Sequence, residues 1–196
     1  MAARSGFARR RFARLRFPLR GRRVDLVPPA LRQVPAVVRL LGEPSVARWT
    51  LHVPYPYRER DGREWVQRAR ANRRSGRSLG LTVRRRFDET LLGGVGLHRF
   101  EEGDTSAEVG YWIGREHRGR GYAAEAVDLL VRTGFARLGL HRIEARVFPG
   151  NLASRGVLRQ CGFRYEGRLR DEAWKNGRWR ATLLFARLAS DPAAAR

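Results

Sequence analysis

Along this chain the apolar residues recur with a period of two in some stretches and near 3.6 in others, and the switches between the periods mark off its elements. "RRVDLVP" (22–28) alternates as a strand does and is stopped by Pro28 and Pro29. "ALRQVPAVVRLLG" (30–42) keeps helical spacing, with Pro35 tolerated near its start. "HVPYPYRER" (52–60) is a link stiffened by Pro54 and Pro56 and carrying Tyr55 and Tyr57. It leads into a polar helix over roughly 61–74, with Trp65 and Val66 turned inward.

Three strands follow. "SLGLTVRRR" (78–86) and "TLLGGVGLHRF" (90–100) form a hairpin through "FDET", and "AEVGYWIG" (107–114) comes after an acidic turn at Glu101, Glu102 and Asp104. The third strand runs into a long helix, about 121–138, whose Ala123, Val127, Leu130 and Gly134 share a face. "HRIEARVF" (141–148) alternates again. Asn151 then caps a short helix over 152–161, with Ala153, Val157 and Cys161 on one face, Arg155 and Arg159 on the other, and Gly162 as its stop. Residues 163–188 make a hairpin about Asn176-Gly177, flanked by Trp174 and Trp179. The order β-α-α-β-β-β-α-β-α-β-β predicts an α+β fold, a mixed sheet with helices on both sides, and no repeat is visible.

Length and composition narrow this to one domain, 22–188 of the 196 residues, between a basic arm at 1–21 and a tail at 189–196, both expected to be disordered. No run of about 18 apolar residues suggests a membrane span. One cysteine and four histidines offer neither a disulfide framework nor zinc-ligand spacing, so no metal is expected and a reducing cytoplasm fits. Cys161, on an apolar helix face, reads as a small buried residue rather than a nucleophile. The net charge of +22 comes almost wholly from arginine, Lys175 being the single lysine. Nine arginines fall in residues 1–23, which contain no acid. That segment resembles a transit peptide, and an upstream-extended start or a disordered basic arm explains it as well; such an arm would suit contact with RNA or the ribosome.

"REHRGRGYAAEA" (115–126) sets the tightest glycine turn and dense positive charge at the mouth of the long helix. Backbone N–H groups there suit a diphosphate, although a strand turning into a helix also needs glycine for its own sake. The stretch lacks the lysine of a P-loop and the three-glycine spacing of a dinucleotide fold.

Arg118-x-x-Gly121-x-Ala123 matches the R/Q-x-x-G-x-G/A signature of the GNAT superfamily of acetyl-CoA-dependent N-acetyltransferases. "EVGYWI" (108–113), "GLHRIEARV" (139–147), "NLAS" (151–154) and "CGFRYEGRLR" (161–170) resemble its RimJ/RimL branch, and the likeness covers roughly 22–188. The resemblance implies a GNAT fold with splayed central strands and acetyl-CoA as co-substrate. It implies that Tyr111, Trp112 and Ile113 pair their backbone with the pantetheine arm, and that Gly119, Arg120, Gly121, Tyr122, Ala123 and Ala124 hold the pyrophosphate. Asn151 would contact the cofactor and Ser154 would lie near the thioester sulfur, although both also serve as ordinary helix-capping residues. The reaction it implies is direct attack by an amine in a ternary complex, on a protein or peptide N-terminus or a small-molecule amine; the alternative from another class is an inactive homologue that binds RNA or the ribosome. Glu108 is the first candidate for the base and Glu172 or Asp171 the second; strand parity equally allows Glu108 to pair with Arg142 or Arg146. Ala181 stands where many relatives carry an acid, and the positive field should repel cationic acceptors unless Glu101, Glu102, Glu166, Asp171 and Glu172 line the mouth. A homodimer fits this branch.

Overall fold

The computed structural model describes residues 6–100 and 105–192. Strands β1 (Leu19–Arg20), β2 (Val24–Val27), β3 (Leu79–Arg85), β4 (Leu91–His98), β5 (Ser106–Ile113), β6 (Arg142–Val147), β7 (Arg164–Lys175) and β8 (Arg178–Leu188) form one sheet in the order β1-β2-β3-β4-β5-β6-β8-β7. The helices are α1 (Gly6–Arg14), α2 (Val34–Leu41), α3 (Pro44–Ala47), α4 (Glu59–Ser75), α5 (Tyr122–Leu138) and α6 (Leu152–Gln160). The expected strands and longer helices therefore form within a few residues of their anticipated ends. A short turn over Leu31–Gln33 takes the place of the first turn expected of α2.

Every adjacent pair of strands is antiparallel except β5 with β6. That one parallel contact covers only Ser106↔Arg142 to Glu108↔Glu144, although β5 runs on to Ile113 and β6 to Val147. The sheet is thus continuous at one end of these strands and split at the other. On the odd-numbered side of β5, Ala107, Val109 and Ile113 join Val127, Leu130 and Val131 of α5 in the main core. On the opposite side Trp112 packs with Val37, Leu40 and Leu41 of α2 and Leu91. Burying one apolar stripe of helix on each face is what gives the sheet its two covered sides.

Two expectations fail here. The arm is not disordered throughout: α1 and β1 lie within it, and Phe12 (1% exposed), Leu15 and Leu19 are buried in the main core. Counting arginines hid an apolar series at 12, 15 and 19 that one helical turn and an extended link carry inward. Arg11 also donates to the carbonyl of Leu138 at the end of α5. The tail is held as far as its third residue, Asp191 accepting from the Leu188 N–H at 2.8 Å and pairing with Arg164 at 3.3 Å. In α6, Leu158 and Cys161 are the buried residues, whereas Ala153 is exposed. The acidic turn at 101, 102 and 104 lies outside the described residues.

Because Phe12 fills core space, Phe12→Ala should cost about 3 kcal/mol of unfolding free energy, read from urea denaturation. An unchanged midpoint would show that α1 is not part of the core.

Candidate active site

The split between β5 and β6 decides which backbone groups are offered to a ligand. The Gly114 N–H donates to the Leu92 carbonyl at 2.9 Å, so alternation turns residues 112, 110 and 108 toward β4 and residues 113, 111 and 109 toward the split. The Tyr111 and Ile113 backbones therefore face the gap, whereas the Trp112 backbone, expected to act with them, faces β4 instead. The Ile113 carbonyl already accepts from Arg118 Nε at 2.9 Å, and the same guanidinium donates to Ser45 Oγ at 3.1 Å. Arg118 thus braces the strand end against the start of α3.

From there the chain makes a short turn over Arg115–His117 and enters α5 through two glycines in the left-handed region, Gly119 at φ +73° and Gly121 at φ +76°. A side chain at either position would be strained, and a β-carbon at Gly119 would meet nothing within 4 Å, so this corner is open. Gly121 is the N-cap and supplies no side-chain acceptor. The first intrahelical bond runs from the Glu125 N–H to the Gly121 carbonyl at 3.1 Å, which leaves the N–H groups of Tyr122, Ala123 and Ala124 without helical acceptors. Three converging donors at the positive end of a 17-residue helix fit a ligand bearing paired phosphates.

The sequence reading missed what holds this corner from behind. Arg23 donates from Nε to Glu125 Oε2 at 2.9 Å and from Nη1 to the Arg120 carbonyl at 3.0 Å, while its backbone N–H donates to Glu125 Oε1 at 2.6 Å. Its guanidinium also lies 5.3 Å from the centre of the Tyr122 ring. Burial alone would push the Glu125 carboxyl up, but donors from Arg23 and Val24 outweigh it and hold it below the usual range. The Cys161 thiol, pushed up to about 12 by burial and donating to the Ala124 carbonyl at 3.3 Å, is structural, as expected.

Across the gap, the Tyr111 hydroxyl lies 2.7 Å from Ser154 Oγ and 3.1 Å from the Ser154 carbonyl. Burial raises this phenol well above its ordinary value, the bond to Ser154 only partly opposing it, so the hydroxyl stays protonated. The sequence reading used the Tyr111 backbone and missed this side chain. Asn151 Oδ1 accepts from the Ser154 N–H at 3.1 Å, which makes it the N-cap of α6.

Glu108 projects from the even-numbered face into a charged cluster. Its Oε2 accepts from Arg146 Nη1 at 2.7 Å and from Arg99 Nη1 at 3.3 Å, which is the ion-pair alternative that strand parity allowed. Arg146 also lies 3.1 Å from Glu144 and 3.2 Å from Glu172, and Glu172 accepts from Thr182 Oγ1 at 3.0 Å. Arg142 turns away to Glu144 and Glu166. Asp171, the other carboxylate considered, is exposed at φ +46°. His98 sits opposite Glu108 in the β4–β5 register. Burial lowers its pKa from the ordinary 6.5, more than Glu108 raises it, so the imidazole is neutral at pH 7. Nothing in sequence position alone pointed to it. Among the described residues no group of three His, Cys, Asp or Glu is placed to hold a metal ion.

Residues 23–164 match the family model described as "Acetyltransferase (GNAT) domain". A stretch of 101 residues, 52% of this chain, is 40% identical to the "Uncharacterized N-acetyltransferase YoaA" of Bacillus subtilis and covers 57% of it. The "Ribosomal-protein-serine acetyltransferase" of Escherichia coli is 29% identical over 102 residues, 52% of this chain and 56% of that protein. The chain spans little more than half the length of these curated relatives. Among solved structures, Mycobacterium smegmatis RimJ in complex with CoA-disulfide aligns with a TM-score of 0.79 at 29% identity, over 87% of this chain and 85% of that one.

The Arg23–Glu125 clamp makes a pH-dependent prediction. A carboxyl held below its unfolded value contributes stability that is fully present above about pH 4.3 and is lost as pH falls through the folded value. Glu125→Gln should therefore be less stable than the parent at pH 7, with the gap closing below about pH 4 in denaturation curves. A gap that stays constant to pH 3 would rule out the charge of Glu125 as its origin.

Proposed function

The chain belongs to the GNAT acetyltransferase family, and on that premise we propose that it transfers an acetyl group from acetyl-CoA to a primary amine, first of all the α-amine at a protein or peptide N-terminus. The observation that carries this reading is the split between β5 and β6 opening onto the donor-rich start of α5. An extended, amide-bearing arm fits the split as an added strand would, and a diphosphate fits the helix mouth. The E. coli relative's name and the kinship to RimJ support a ribosomal-protein acceptor. No described helix is long and apolar enough to cross a membrane, and the buried lone cysteine fits a reducing cytoplasm.

Acetyl-CoA, when bound, supplies an electrophilic thioester carbonyl. The N–H and carbonyl of Tyr111 and the N–H of Ile113 pair with the amides of the pantetheine arm, the Ile113 carbonyl being already taken by Arg118. The N–H groups of Tyr122, Ala123 and Ala124 hold the diphosphate, with Gly119 giving it room, Gly121 supplying the left-handed turn and Arg120 adding charge. Asn151 acts here mainly through its cap, which fixes Ser154 at the gap. As the nitrogen–carbon bond forms and the carbon–sulfur bond breaks, Ser154 Oγ donates to the departing thiolate, oriented by the protonated Tyr111 hydroxyl. Only a neutral amine attacks, and a reference pKa near 8 for an α-amine against 10.4 for lysine favours the N-terminus at pH 7. The amine's proton leaves through water to Glu108, whose arginine bonds both fall on Oε2, with neutral His98 opposite as a second acceptor.

Three outcomes test this. Gly121→Glu should abolish the calorimetric heat of acetyl-CoA binding in a folded protein, since a side chain there is strained at φ +76° and its β-carbon meets the Arg23 guanidinium at 3.0 Å, displacing the brace that holds the donor corner. Ser154→Ala should lower kcat about 100-fold with acetyl-CoA affinity unchanged. Thiol release should be seen with peptides bearing a free α-amine and not with N-terminally blocked ones. Turnover of small amines alone would move the acceptor to that class, and unchanged kcat in Ser154→Ala would reduce Ser154 to a helix-capping role.

A further inference from the structure

Far along the sheet from the split, between the second half of α4 and the segment after β2, lies an open groove of about 390 Å³. Arg70, Arg73 and Arg74 form one of its walls and Arg32 and Arg84 part of the other, over a floor of Val27, Pro28, Pro29 and Ala30. The local charge is lopsided in the sequence itself: between Trp65 and Phe87 there are eight arginines and no acid. The acids of α4 are Glu59, Asp61 and Glu64, all in its first half. Among the described residues, Arg84 pairs with Asp25 at 3.4 Å and Glu89 at 2.7 Å, whereas no ion pair neutralises Arg32, Arg70, Arg73 or Arg74. Arg73 instead rests 5.4 Å over the Phe17 ring, beside the exit of α1. That helix packs against α4 and brings the exposed Arg10 and Arg14 to the same quarter of the surface.

We propose that this groove is a docking site for the phosphodiester backbone of a nucleic acid. Residues 70, 73 and 74 stand at i, i+3 and i+4, so a rigid helix presents their planar guanidinium forks as a row of fixed cations matched to a polymer of fixed anions. A peptide strand would find little to pair with. Pro28 and Pro29 have no N–H, the Ala30 N–H donates to Gln33 at 2.9 Å, the Pro29 carbonyl accepts from Arg70, and the Val27 carbonyl accepts from Thr82 Oγ1 at 3.1 Å. None of the lining residues offers an aromatic face for base stacking, so the contacts are to phosphates and the binding is insensitive to sequence. The groove is remote from the β5–β6 split, so a tethering nucleic acid and an acceptor amine can be engaged together. This reading does not depend on the acetyl-transfer reading.

Fluorescence anisotropy with labelled duplex RNA, single-stranded RNA, duplex DNA and poly-glutamate, over a range of salt, tests it on the full chain. R70A/R73A/R74A should weaken RNA binding at least tenfold at about 100 mM salt and lower the salt slope by two to three, since each lost phosphate contact removes about 0.9. Acetyl-CoA binding, measured in parallel, should not change. R137Q/R170Q/R178Q, which removes the same charge at exposed sites elsewhere, should weaken binding less than threefold, and R70K/R73K/R74K should keep most of the affinity. Equal DNA and RNA affinity supports backbone docking in general, and stronger RNA binding narrows it to RNA. Equal loss in both triple variants, tighter binding of poly-glutamate than of RNA, or no nucleic-acid binding by the parent chain would overturn the proposal.

Discussion

The parting of β5 from β6 after three paired residues is the constraint on which the rest of the structure depends. Backbone N–H and carbonyl groups on both strands beyond Glu108 and Glu144 lose the ladder partners that an intact sheet would give them, and a buried group left so is costly. Such a split persists only if something else holds the strands and something else satisfies their edges. On the β4 side β5 is fully paired to Ile113, on its odd-numbered face it is packed against α5, and at its end Arg118 takes the last carbonyl. On the other bank β6 stays paired to β8 as far as Val147↔Leu183. Each bank is therefore held by its own neighbours, and side-chain hydrogen bonds span the two, from Arg146 to Glu108 where they part and between the Tyr111 hydroxyl and Ser154 near α6. An open edge supported on both sides is a site prepared for an extended ligand, with the ordering cost already met in folding.

The helix mouth obeys the same logic. A turn through two left-handed glycines is intrinsically loose, because glycine has many conformations to lose. Arg23, from the link before β2, fixes it by binding both the Arg120 carbonyl and the Glu125 carboxylate. The donors at Tyr122, Ala123 and Ala124 are thus preorganised by a residue about a hundred positions away in sequence. Removing this brace would leave the motif intact in sequence while loosening its geometry.

How much of this was legible in the sequence follows from whether the information is local. The strand running straight into Gly119–Gly121 and α5 was readable because period and glycine spacing are local properties. The Asn151 cap and the Asn176-Gly177 turn, with both residues at positive φ, were readable for the same reason. Which way Glu108 points depends on its register with both β4 and β6, and the sequence left two partners open where the structure chooses Arg146. The orientation of the Trp112 backbone, the Tyr111–Ser154 contact and the Arg23 clamp are likewise properties of pairings between distant segments. The order in the arm was missed for a different reason: net charge describes what water sees, whereas Phe12, Leu15 and Leu19 describe what the core sees.

The distribution of charge finally revises what the net charge of +22 implies for an acceptor. Taken as a uniform field, it should repel any cationic amine. The acids are not spread uniformly, however: Glu108, Glu144, Glu166 and Glu172 gather about Arg142, Arg146 and Arg99 on β5, β6, β7 and the end of β4, so that cluster is close to neutral. Uncompensated arginines line α4 and its surroundings, several strands away, and others such as Arg137 and Arg178 stand exposed elsewhere. Screening at physiological ionic strength falls off over roughly 8 Å, which is less than the width of two strands. An amine approaching Glu108 therefore meets the local cluster rather than the whole-molecule charge, and the excess arginine acts where it is concentrated.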